Sequence, residues 1–294
     1  MPPLYNSVMN QLPDIALLDG TDCCTTKYPI LLVHGIMSLD IRDGFMWGRI
    51  PRTLRSYGAV VRFGNQDGIG SCATNALQLK QAIDKYLDQT GAEKVNIIAH
   101  SKGGLDVRAL LELPGAASLV ASVTTLSTPH RGLKTVDRLD RIPKVIAVPL
   151  CAVFNVLYRV LGDEHPDLRA AFHDVSFSAC CRRHDNIHQQ APDKGQIGEP
   201  TILCQSFAGS LPRLKNDPVA FCTYHLVSRY DGPNDGVVPI ESTPWGEFRG
   251  VLDTAGHRGL SHFDLQDRWR RDFPDFDVPL FYAALVAELK QHGL

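Results

Sequence analysis

The feature that most constrains the fold is the stretch VNIIAHSKGGLDVR, residues 95–108, in which a lone serine separates an apolar run from two glycines. The apolar run is typical of a buried strand, and the residues that follow Ser101 are typical of a helix. A strand that turns directly into a helix strains the residue at the turn and exposes its side chain at the edge of the sheet. Small residues at 99, 103 and 104 let neighbouring backbone approach. The stretch predicts a nucleophile elbow with Ser101 at its apex and Ala99 in place of the usual first glycine. A helix N-cap is the alternative role for this serine.

Short β-branched runs alternate with helical patterns along the chain, which predicts an α/β fold with parallel strands joined by crossover helices. The 294 residues are enough for one large domain with its own core, and no internal repeat is present. The predicted strands are residues 28–35, 58–64, 94–100, 120–129, 200–209, 221–228 and 247–252. The predicted helices are residues 75–91, 103–113 and the C-terminal segment from residue 276.

The pattern changes between residues 133 and 199, where no strand is evident. The segment 145–162 is hydrophobic around most of its circumference, and such a helix is normally buried or held against something apolar. We therefore expect residues 133–199 to form a helical cap inserted into a single domain, partly mobile and lying over the carboxyl edge of the sheet. Pro149, Asn155 and Arg159 interrupt the segment, so we expect no transmembrane span.

A serine hydroxyl needs a base, and the base needs a carboxylate to orient it. In α/β folds with a nucleophile elbow the acid and then the histidine follow the serine along the chain. Asp231 and Asp235 are the candidates for the acid, and the turn Asn-Asp-Gly favours Asp235, although that sequence is also common in ordinary turns. His257 and His262 follow the last predicted strand, and their position favours His262 as the base.

Ester chemistry at this serine also needs donors for a developing oxyanion, and fixed backbone N–H groups serve best. The N–H of Lys102, at the start of the predicted helix, is one candidate. The N–H of Ile36, in the turn VHGIM after the first strand, is the other, and His34 is expected to support that turn. We expect the side chain of Lys102 to be solvated and His100 to serve as packing.

These motifs resemble those of the α/β-hydrolase superfamily, and within it the bacterial triacylglycerol lipases and related esterases. The matching pieces are YPILLVHGI, VNIIAHSKGGLDVR, SVTTLSTPHRG, NDGVVPIES and RGLSHFDLQDR, spread from residue 28 to residue 268. The resemblance implies a mostly parallel central sheet flanked by helices, with a lid after TPHRG. It also implies Ser101 as nucleophile, Asp235 as acid, His262 as base, and the N–H groups of Ile36 and Lys102 as oxyanion donors.

We expect neither a metal nor another cofactor. Relatives that bind calcium near the histidine use an aspartate two residues on and a glutamine six on; Asp264 fits the first position, but Arg268 occupies the second. The segment CCRRHDNIH, residues 180–188, contains metal-ligand types, yet the eight cysteines suit neither a zinc ribbon nor a disulfide framework. Free thiols and the absence of a basic, apolar leader indicate a cytoplasmic protein, with secretion as the alternative.

The expected function is hydrolysis of carboxylic esters with hydrophobic acyl chains through an acyl-serine intermediate. An acyltransferase, thioesterase or amidase with the same triad, and a non-catalytic binding protein, remain as alternatives. The expected partner is a small-molecule or lipid ester, with contact at lipid interfaces. The net charge of −2 gives no support for nucleic acid as a partner.

Overall fold

The structure, a computed structural model, describes residues 12–41, 43–139, 142–182, 202–211, 218–254 and 259–294. Six strands form one sheet in the order β2-β1-β3-β4-β5-β6, and every neighbouring pair is parallel. The strands are β1 (Ile30–Val33), β2 (Val61–Phe63), β3 (Val95–His100), β4 (Val120–Leu126), β5 (Leu203–Gly209) and β6 (Glu247–Leu252). The predicted parallel α/β architecture is confirmed.

Both faces of the sheet are buried, as expected for parallel strands covered by crossover helices. Along β1, Ile30 and Leu32 pack into one hydrophobic cluster, whereas Leu31 and Val33 pack into a second cluster on the opposite face. The first cluster includes Trp47 and much of the C-terminal helix, and the second includes the buried sides of the helices before and after β3. These two clusters fix the sheet, so that its carboxyl edge can support a site.

The α-helices of the described residues include α1 (Ile50–Ser56), α2 (Cys72–Thr90), α3 (Lys102–Leu111), α4 (Lys134–Leu139), α5 (Lys144–Leu161), α6 (Leu168–Asp174), α7 (Pro218–Asp231) and α8 (Val278–Gln291). Short 3₁₀ turns lie at Ile15–Leu17, Phe45–Trp47, Ala117–Leu119, Ile240–Ser242 and Asp264–Gln266. Helix α2 begins where the Ser71 hydroxyl accepts the N–H of Thr74 and ends at Gly91 with positive φ, a standard pair of caps.

One predicted strand is wrong: residues 221–228 belong to helix α7. The segment FCTYHLVS is rich in β-formers, but strand propensity depends strongly on context. Ala220 and Val227 are buried, Thr223 is half-buried, and His225 and Leu226 are exposed, which is the spacing of one face of a helix. The loop that carries Asp235 therefore follows a helix, and β5 is followed in the sheet by β6.

Helix α5 runs without a break through Pro149 and Asn155, so these residues do not interrupt it as the sequence had suggested. Its apolar side chains also are not buried: Tyr158 alone in this helix is buried, whereas Val145 and Val160 are each 80% exposed. By length and composition α5 is the one helix of the described residues that could cross a membrane. A single helix of this kind is weak evidence for a span, and the described residues contain no clear transmembrane segment.

Residues 133–182 of the predicted cap contain α4, α5 and α6, and residues 183–199 lie outside the described part. A parallel bridge joins Leu133 to Ser176, and Asp167 donates its backbone N–H to the carbonyl of Ile69. The first contact lies within the predicted cap, and the second fastens the described part of the cap to the loop after β2. Whether this segment acts as a lid stays a prediction.

Candidate active site

Ser101 lies at the junction of β3 and α3, with φ 56° and ψ −134°. This is a strained backbone conformation for a serine, as the elbow prediction required. The turn after β1 approaches Ser101 closely, because a Cβ built on Gly35 would lie 2.6 Å from the Cβ of Ser101. Only glycine fits at position 35. The alternative role as a side-chain N-cap is wrong, since the Ser101 hydroxyl makes no cap hydrogen bond to α3.

The structure brings Ser101, His262 and Asp235 together. His262 Nε2 lies 2.9 Å from Ser101 Oγ, and His262 Nδ1 lies 2.7 Å from Asp235 Oδ2. A carboxylate can only accept here, so Nδ1 carries the proton and Nε2 is left to accept the serine hydroxyl. All three residues are buried, with Ser101 and His262 each 5% exposed. The arrangement can draw a proton from the serine hydroxyl.

Asp235 is held by its own turn. Its second carboxylate oxygen, Oδ1, accepts the backbone N–H groups of Val237 at 2.9 Å and Val238 at 2.7 Å. The backbone N–H of His262 donates to the carbonyl of Asp235 at 2.9 Å. The carboxylate is therefore fixed on one side and free to hold the imidazole on the other, which sets the tautomer of the histidine.

His100 packs against the ring of His262, the candidate base, and also hydrogen-bonds to the backbone of that residue. The rings of His100 and His262 have centroids 4.4 Å apart, and His100 Nε2 lies 3.0 Å from the carbonyl oxygen of His262. Complete burial, followed by the charge of His262, lowers the pKa of His100 well below its usual value. His100 is therefore a neutral donor that orients the loop of His262.

The two candidate oxyanion donors flank Ser101. The N–H of Lys102 opens α3, where the first N–H groups of a helix have no acceptor within it. The turn at residues 34–37, here named the oxyanion turn, is set by Met37, whose φ is 59° and whose N–H donates to the carbonyl of Gly68. The roles of Ile36 and Lys102 as oxyanion donors stay predictions.

The expectation that the Lys102 side chain is solvated is wrong. Its exposed fraction is 1%, and its Nζ lies 2.6 Å from Asp106 Oδ1, one helical turn along α3. Burial alone would lower the pKa of Lys102, but the nearby carboxylates, Asp106 first among them, outweigh burial and raise it. The residue four positions on from Lys102 was a signal in the sequence that could have shown this pair.

The sequence also offered Asp231 as a candidate acid and His257 as a candidate base. Asp231 accepts the backbone N–H groups of Lys134 and Thr135 at 2.8 Å each, so it caps α4 and is not the acid of this site. His257 lies outside the described residues. Arg268 lies beside the ring of Phe263, with its guanidinium 5.7 Å from the ring centroid.

Within the described ranges, no three His, Cys, Asp or Glu side chains group closely enough to hold a metal ion. Asp264 accepts the backbone N–H of Ser261 at 3.1 Å, and the guanidinium of Arg271 lies 3.6 Å from its other oxygen. Of the segment 180–188, residues 183–188 lie outside the described part of the chain, and the structure gives no account of them as ligands.

Sequence reasoning also missed two buried carboxylates, Asp67 and Asp163, which join the loop after β2 to the turn after α5. The Asp-Gly pair at residues 67–68 indicated a turn, but nothing in the sequence placed residue 163 next to it.

The chain is similar to known lipases and to one thioesterase family. The family model for palmitoyl protein thioesterase matches residues 29–182. Triacylglycerol lipase 2 of Saccharomyces cerevisiae is 29% identical over 306 residues, which cover 99% of this chain and 84% of that protein. A triacylglycerol lipase of Vibrio cholerae is 36% identical over 239 residues, which cover 76% of this chain and 75% of that protein.

Among solved structures, the mature form of the Bacillus licheniformis lipase BlEst2 is similar in fold, with a TM-score of 0.63 at 19% identity. The similarity covers 90% of this chain and 93% of that one. Together with the sequence matches to lipases over most of its length, this shows that the chain belongs to the lipase and esterase family of α/β-hydrolases and is a serine ester hydrolase.

Proposed function

We propose that the chain hydrolyses carboxylic esters with hydrophobic acyl chains, with Ser101 as nucleophile, His262 as base and Asp235 as acid. The observation that carries the proposal is the continuous hydrogen-bonded series from Ser101 Oγ through the imidazole of His262 to Asp235 Oδ2. A serine hydroxyl is a weak nucleophile without such a base, and the series supplies that base and its orienting carboxylate.

In the proposed mechanism, Ser101 Oγ attacks the ester carbonyl carbon while His262 Nε2 takes the hydroxyl proton. The carbonyl oxygen becomes an oxyanion, which the N–H groups of Ile36 and Lys102 stabilise. His262 then gives its proton to the departing alcohol, which leaves an acyl ester on Ser101. Water attacks this ester with the same histidine as base, releases the acid and restores the serine.

The preference for a hydrophobic acyl chain rests on the surroundings of the oxyanion turn. Ile36 packs into an apolar cluster with Leu39 and with Phe154 of α5, around a buried centre formed by Ile69, Tyr158 and Leu168. An acyl chain held here exchanges water for apolar contacts, worth about 0.8 kcal/mol per methylene, which is about fourfold in kcat/KM. Rates with p-nitrophenyl esters from acetyl to palmitoyl test this, and a maximum at acetyl would contradict it.

Replacement of the nucleophile tests the mechanism. Ser101→Ala should reduce ester hydrolysis to the rate in buffer and abolish labelling by a fluorophosphonate, with an unchanged circular dichroism spectrum. Ser56→Ala, which removes an exposed hydroxyl from α1, is the matched control. Turnover by Ser101→Ala equal to that of Ser56→Ala would rule out the mechanism.

A thioester is the second candidate substrate, because the palmitoyl protein thioesterase model matches residues 29–182. The same acyl-serine intermediate would form from either substrate. A palmitoyl thioester and a palmitoyl oxyester, compared by kcat/KM under the same conditions, separate the two. A thioester and an oxyester also differ in their rates of hydrolysis without any enzyme. A kcat/KM ratio of thioester to oxyester larger than the ratio of their uncatalysed rates in buffer would favour this candidate.

The exposed face of α5 supports contact with a lipid surface. Nine large apolar side chains of this helix are exposed, namely Val145, Ile146, Val148, Leu150, Val153, Val156, Leu157, Val160 and Leu161. A large group of exposed apolar side chains on one face of a soluble protein usually marks an interaction surface. We propose that this face contacts the surface of an ester-containing lipid aggregate. On the opposite side of the helix, Phe154 and Tyr158 pack in the cluster that includes Ile36, so the lipid surface would lie close to the site.

A further inference from the structure

The loop after β2 and the turn after α5 are joined by two buried carboxylates, each of which accepts from the opposite segment. Asp163 accepts the N–H of Gly68 at 2.9 Å and that of Ile69 at 3.0 Å. Both donors belong to residues 66–70, here named the β2 loop. Asp163 is only 4% exposed, so these hydrogen bonds are made away from water. Hydrogen bonds from backbone N–H groups to a carboxylate are stronger than those to neutral acceptors.

For the other carboxylate the acceptor lies in the β2 loop and the donors lie in the turn after α5. Asp67, in the β2 loop, accepts the N–H of Glu164 at 2.7 Å and that of His165 at 2.6 Å. Asp67 is 5% exposed. A fifth bond joins the segments where the N–H of Asp167 donates to the carbonyl of Ile69 at 2.9 Å. The two segments are therefore clamped by five hydrogen bonds, four of them to carboxylates.

The β2 loop in turn holds the oxyanion turn on both sides of Ile36. The carbonyl of Gly68 accepts the N–H of Met37 at 2.8 Å. Gln66 Nε2 donates to the carbonyl of His34 at 2.9 Å, and His34 Nε2 lies 3.1 Å from the carbonyl of Gln66. Gly68 is thus held at its N–H by Asp163 and at its carbonyl by Met37. A shift of the β2 loop would move the N–H of Ile36.

Gly68 also lies in close contact with its surroundings, which leave no space for a side chain. A Cβ built on it would lie 2.5 Å from the carbonyl oxygen of Ser38 and 2.8 Å from the ring of Tyr158. Tyr158 is the buried residue of α5, and the N–H of Asp163 donates to its carbonyl at 2.9 Å. Hence α5 touches the β2 loop both through this ring and through Asp163, which follows its C-cap.

The clamp extends to the second candidate donor. Asn75 Nδ2 donates to the carbonyl of Asp67 at 3.0 Å and to Asp106 Oδ2 at 2.9 Å, and Asp106 is the partner of the Lys102 ammonium. Both residues whose N–H groups are predicted to stabilise the oxyanion, Ile36 and Lys102, are therefore connected to Asp67 and Asp163 through buried polar contacts.

We propose that Asp67 and Asp163 are positioning residues, which fix the N–H of Ile36 for the oxyanion and couple its position to helix α5. The proposal rests on the function proposed above. It assigns no contact with substrate to either carboxylate. Its physical basis is that oxyanion donors act through fixed geometry, so that a displacement of about 1 Å lowers the rate by up to about 10²-fold.

The test compares two carboxylates that each accept hydrogen bonds from two backbone N–H groups. Asp163→Asn keeps the shape and one acceptor oxygen, but sets an NH₂ group against a backbone N–H. We expect kcat for a p-nitrophenyl ester to fall roughly 10- to 100-fold with KM changed by less than about threefold. Asp231→Asn is the matched control, because Asp231 also accepts two backbone N–H groups, those of α4, but does not touch the β2 loop. We expect its kcat to equal that of the wild type.

A transition-state analogue separates positioning from mere stability. A trifluoromethyl ketone adds to the nucleophilic serine and forms an oxyanion, whereas the methyl ketone with the same alkyl chain binds through that chain. In Asp163→Asn we expect weaker inhibition by the first, by the same factor as kcat, and unchanged inhibition by the second. Equal kcat in the two aspartate variants, or equal weakening of both ketones, would overturn the proposal.

Amide hydrogen exchange tests the clamp without any turnover. Exchange in residues 35–39 should be faster in Asp163→Asn and in Asp67→Asn than in Asp231→Asn. If the wild type fails to hydrolyse esters, the proposed function fails, and this measurement still decides on the clamp. If the wild type hydrolyses esters and exchange in residues 35–39 is the same in all three variants, the clamp proposal fails alone.

Discussion

Lys102 shows how a single residue can serve the site twice. Its backbone N–H opens α3 beside Ser101, and its ammonium is buried against Asp106 within the same helix. A buried ion pair contributes little net stability, because both charges lose their water. Removal of one partner is different, since it leaves the other charge buried without compensation.

The chain offers a matched comparison for this pair. Lys102→Met should lower the free energy of unfolding by about 3–5 kcal/mol, because Asp106 stays buried without its ammonium partner. Lys80→Met breaks the pair of Lys80 with Asp84, which has the same i, i+4 spacing but is partly exposed, and should cost at most about 0.5 kcal/mol. Urea denaturation of both variants measures the difference. Equal losses would contradict the burial argument.

The assignment of the acid can be tested at the same scale. Asp235→Asn should lower kcat roughly 10³- to 10⁴-fold, because the amide no longer holds His262 in the tautomer that accepts the serine proton. Asp231→Asn should leave kcat unchanged, since Asp231 caps α4. Steady-state kinetics with one p-nitrophenyl ester decide the matter. The opposite ranking of these variants would make Asp231 the acid.

At the scale of elements, α5 differs from an ordinary surface helix because both of its sides are largely apolar. Its inward side packs Cys151, Phe154 and Tyr158 into an apolar cluster, and its solvent side is also almost wholly apolar. Periodicity predicted a buried helix, because hydrophobicity alone does not distinguish a core from a membrane surface. The function proposed above assigns this face to contact with a lipid surface.

The effect of this face can be measured directly. In the double variant Val156→Ser, Val160→Ser, the ratio of the rate on an emulsified long-chain ester to the rate on a monomeric ester should fall several-fold. The reason is that each lost apolar contact weakens adsorption of the enzyme. The control is Val60→Ser, Leu77→Ser, which removes two exposed apolar residues from elsewhere. An equal ratio in both double variants would exclude α5 as the lipid contact.

The strands and helices were predictable where their pattern is unambiguous. Strand β6 falls on the predicted residues 247–252, and the elbow between β3 and α3 follows from the serine between an apolar run and two glycines. Residues 221–228 were assigned wrongly, since β-branched and aromatic residues fit a buried helix face as well. The Asp67–Asp163 clamp could not be found, because it joins residues almost a hundred positions apart.

At the scale of the whole molecule, the site depends on the complete fold. Ser101 follows β3, Asp235 follows α7 and His262 follows β6, and the parallel sheet brings their loops to one edge. The C-terminal helix contributes as well, since Tyr282 of α8 donates its hydroxyl proton to the carbonyl of Leu265, close to His262. The order of motifs predicted the three residues, whereas their distances needed the structure.

The stability of the molecule should fall at acid pH. Burial lowers the pKa of both His100 and His130, with the charges of His262 and Arg108 respectively as the next causes. The unfolded chain therefore binds these protons and the folded chain does not. Below about pH 6.5 each histidine should reduce the free energy of unfolding by about 1.4 kcal/mol per pH unit.

Urea denaturation between pH 5 and pH 8 checks this slope. His130→Gln should reduce the loss below pH 6.5 by about half, because His100 is then the one of the two histidines with a lowered pKa that remains. His165→Gln is the control, because it removes a histidine whose side chain is exposed and leaves His100 and His130 in place. The same acid-side slope in both variants would show that His130 does not cause it.

The end of the chain lies beside the start of β1. The carbonyl of Leu294 accepts the N–H of Lys27 at 2.8 Å, and Lys290 Nζ donates to the carbonyl of Asp22. This is the amino edge of the sheet, whereas Ser101 stands at the carboxyl edge. A linker attached to Leu294 would therefore hold the molecule on a solid support with the Ser101 edge of the sheet facing the bulk liquid.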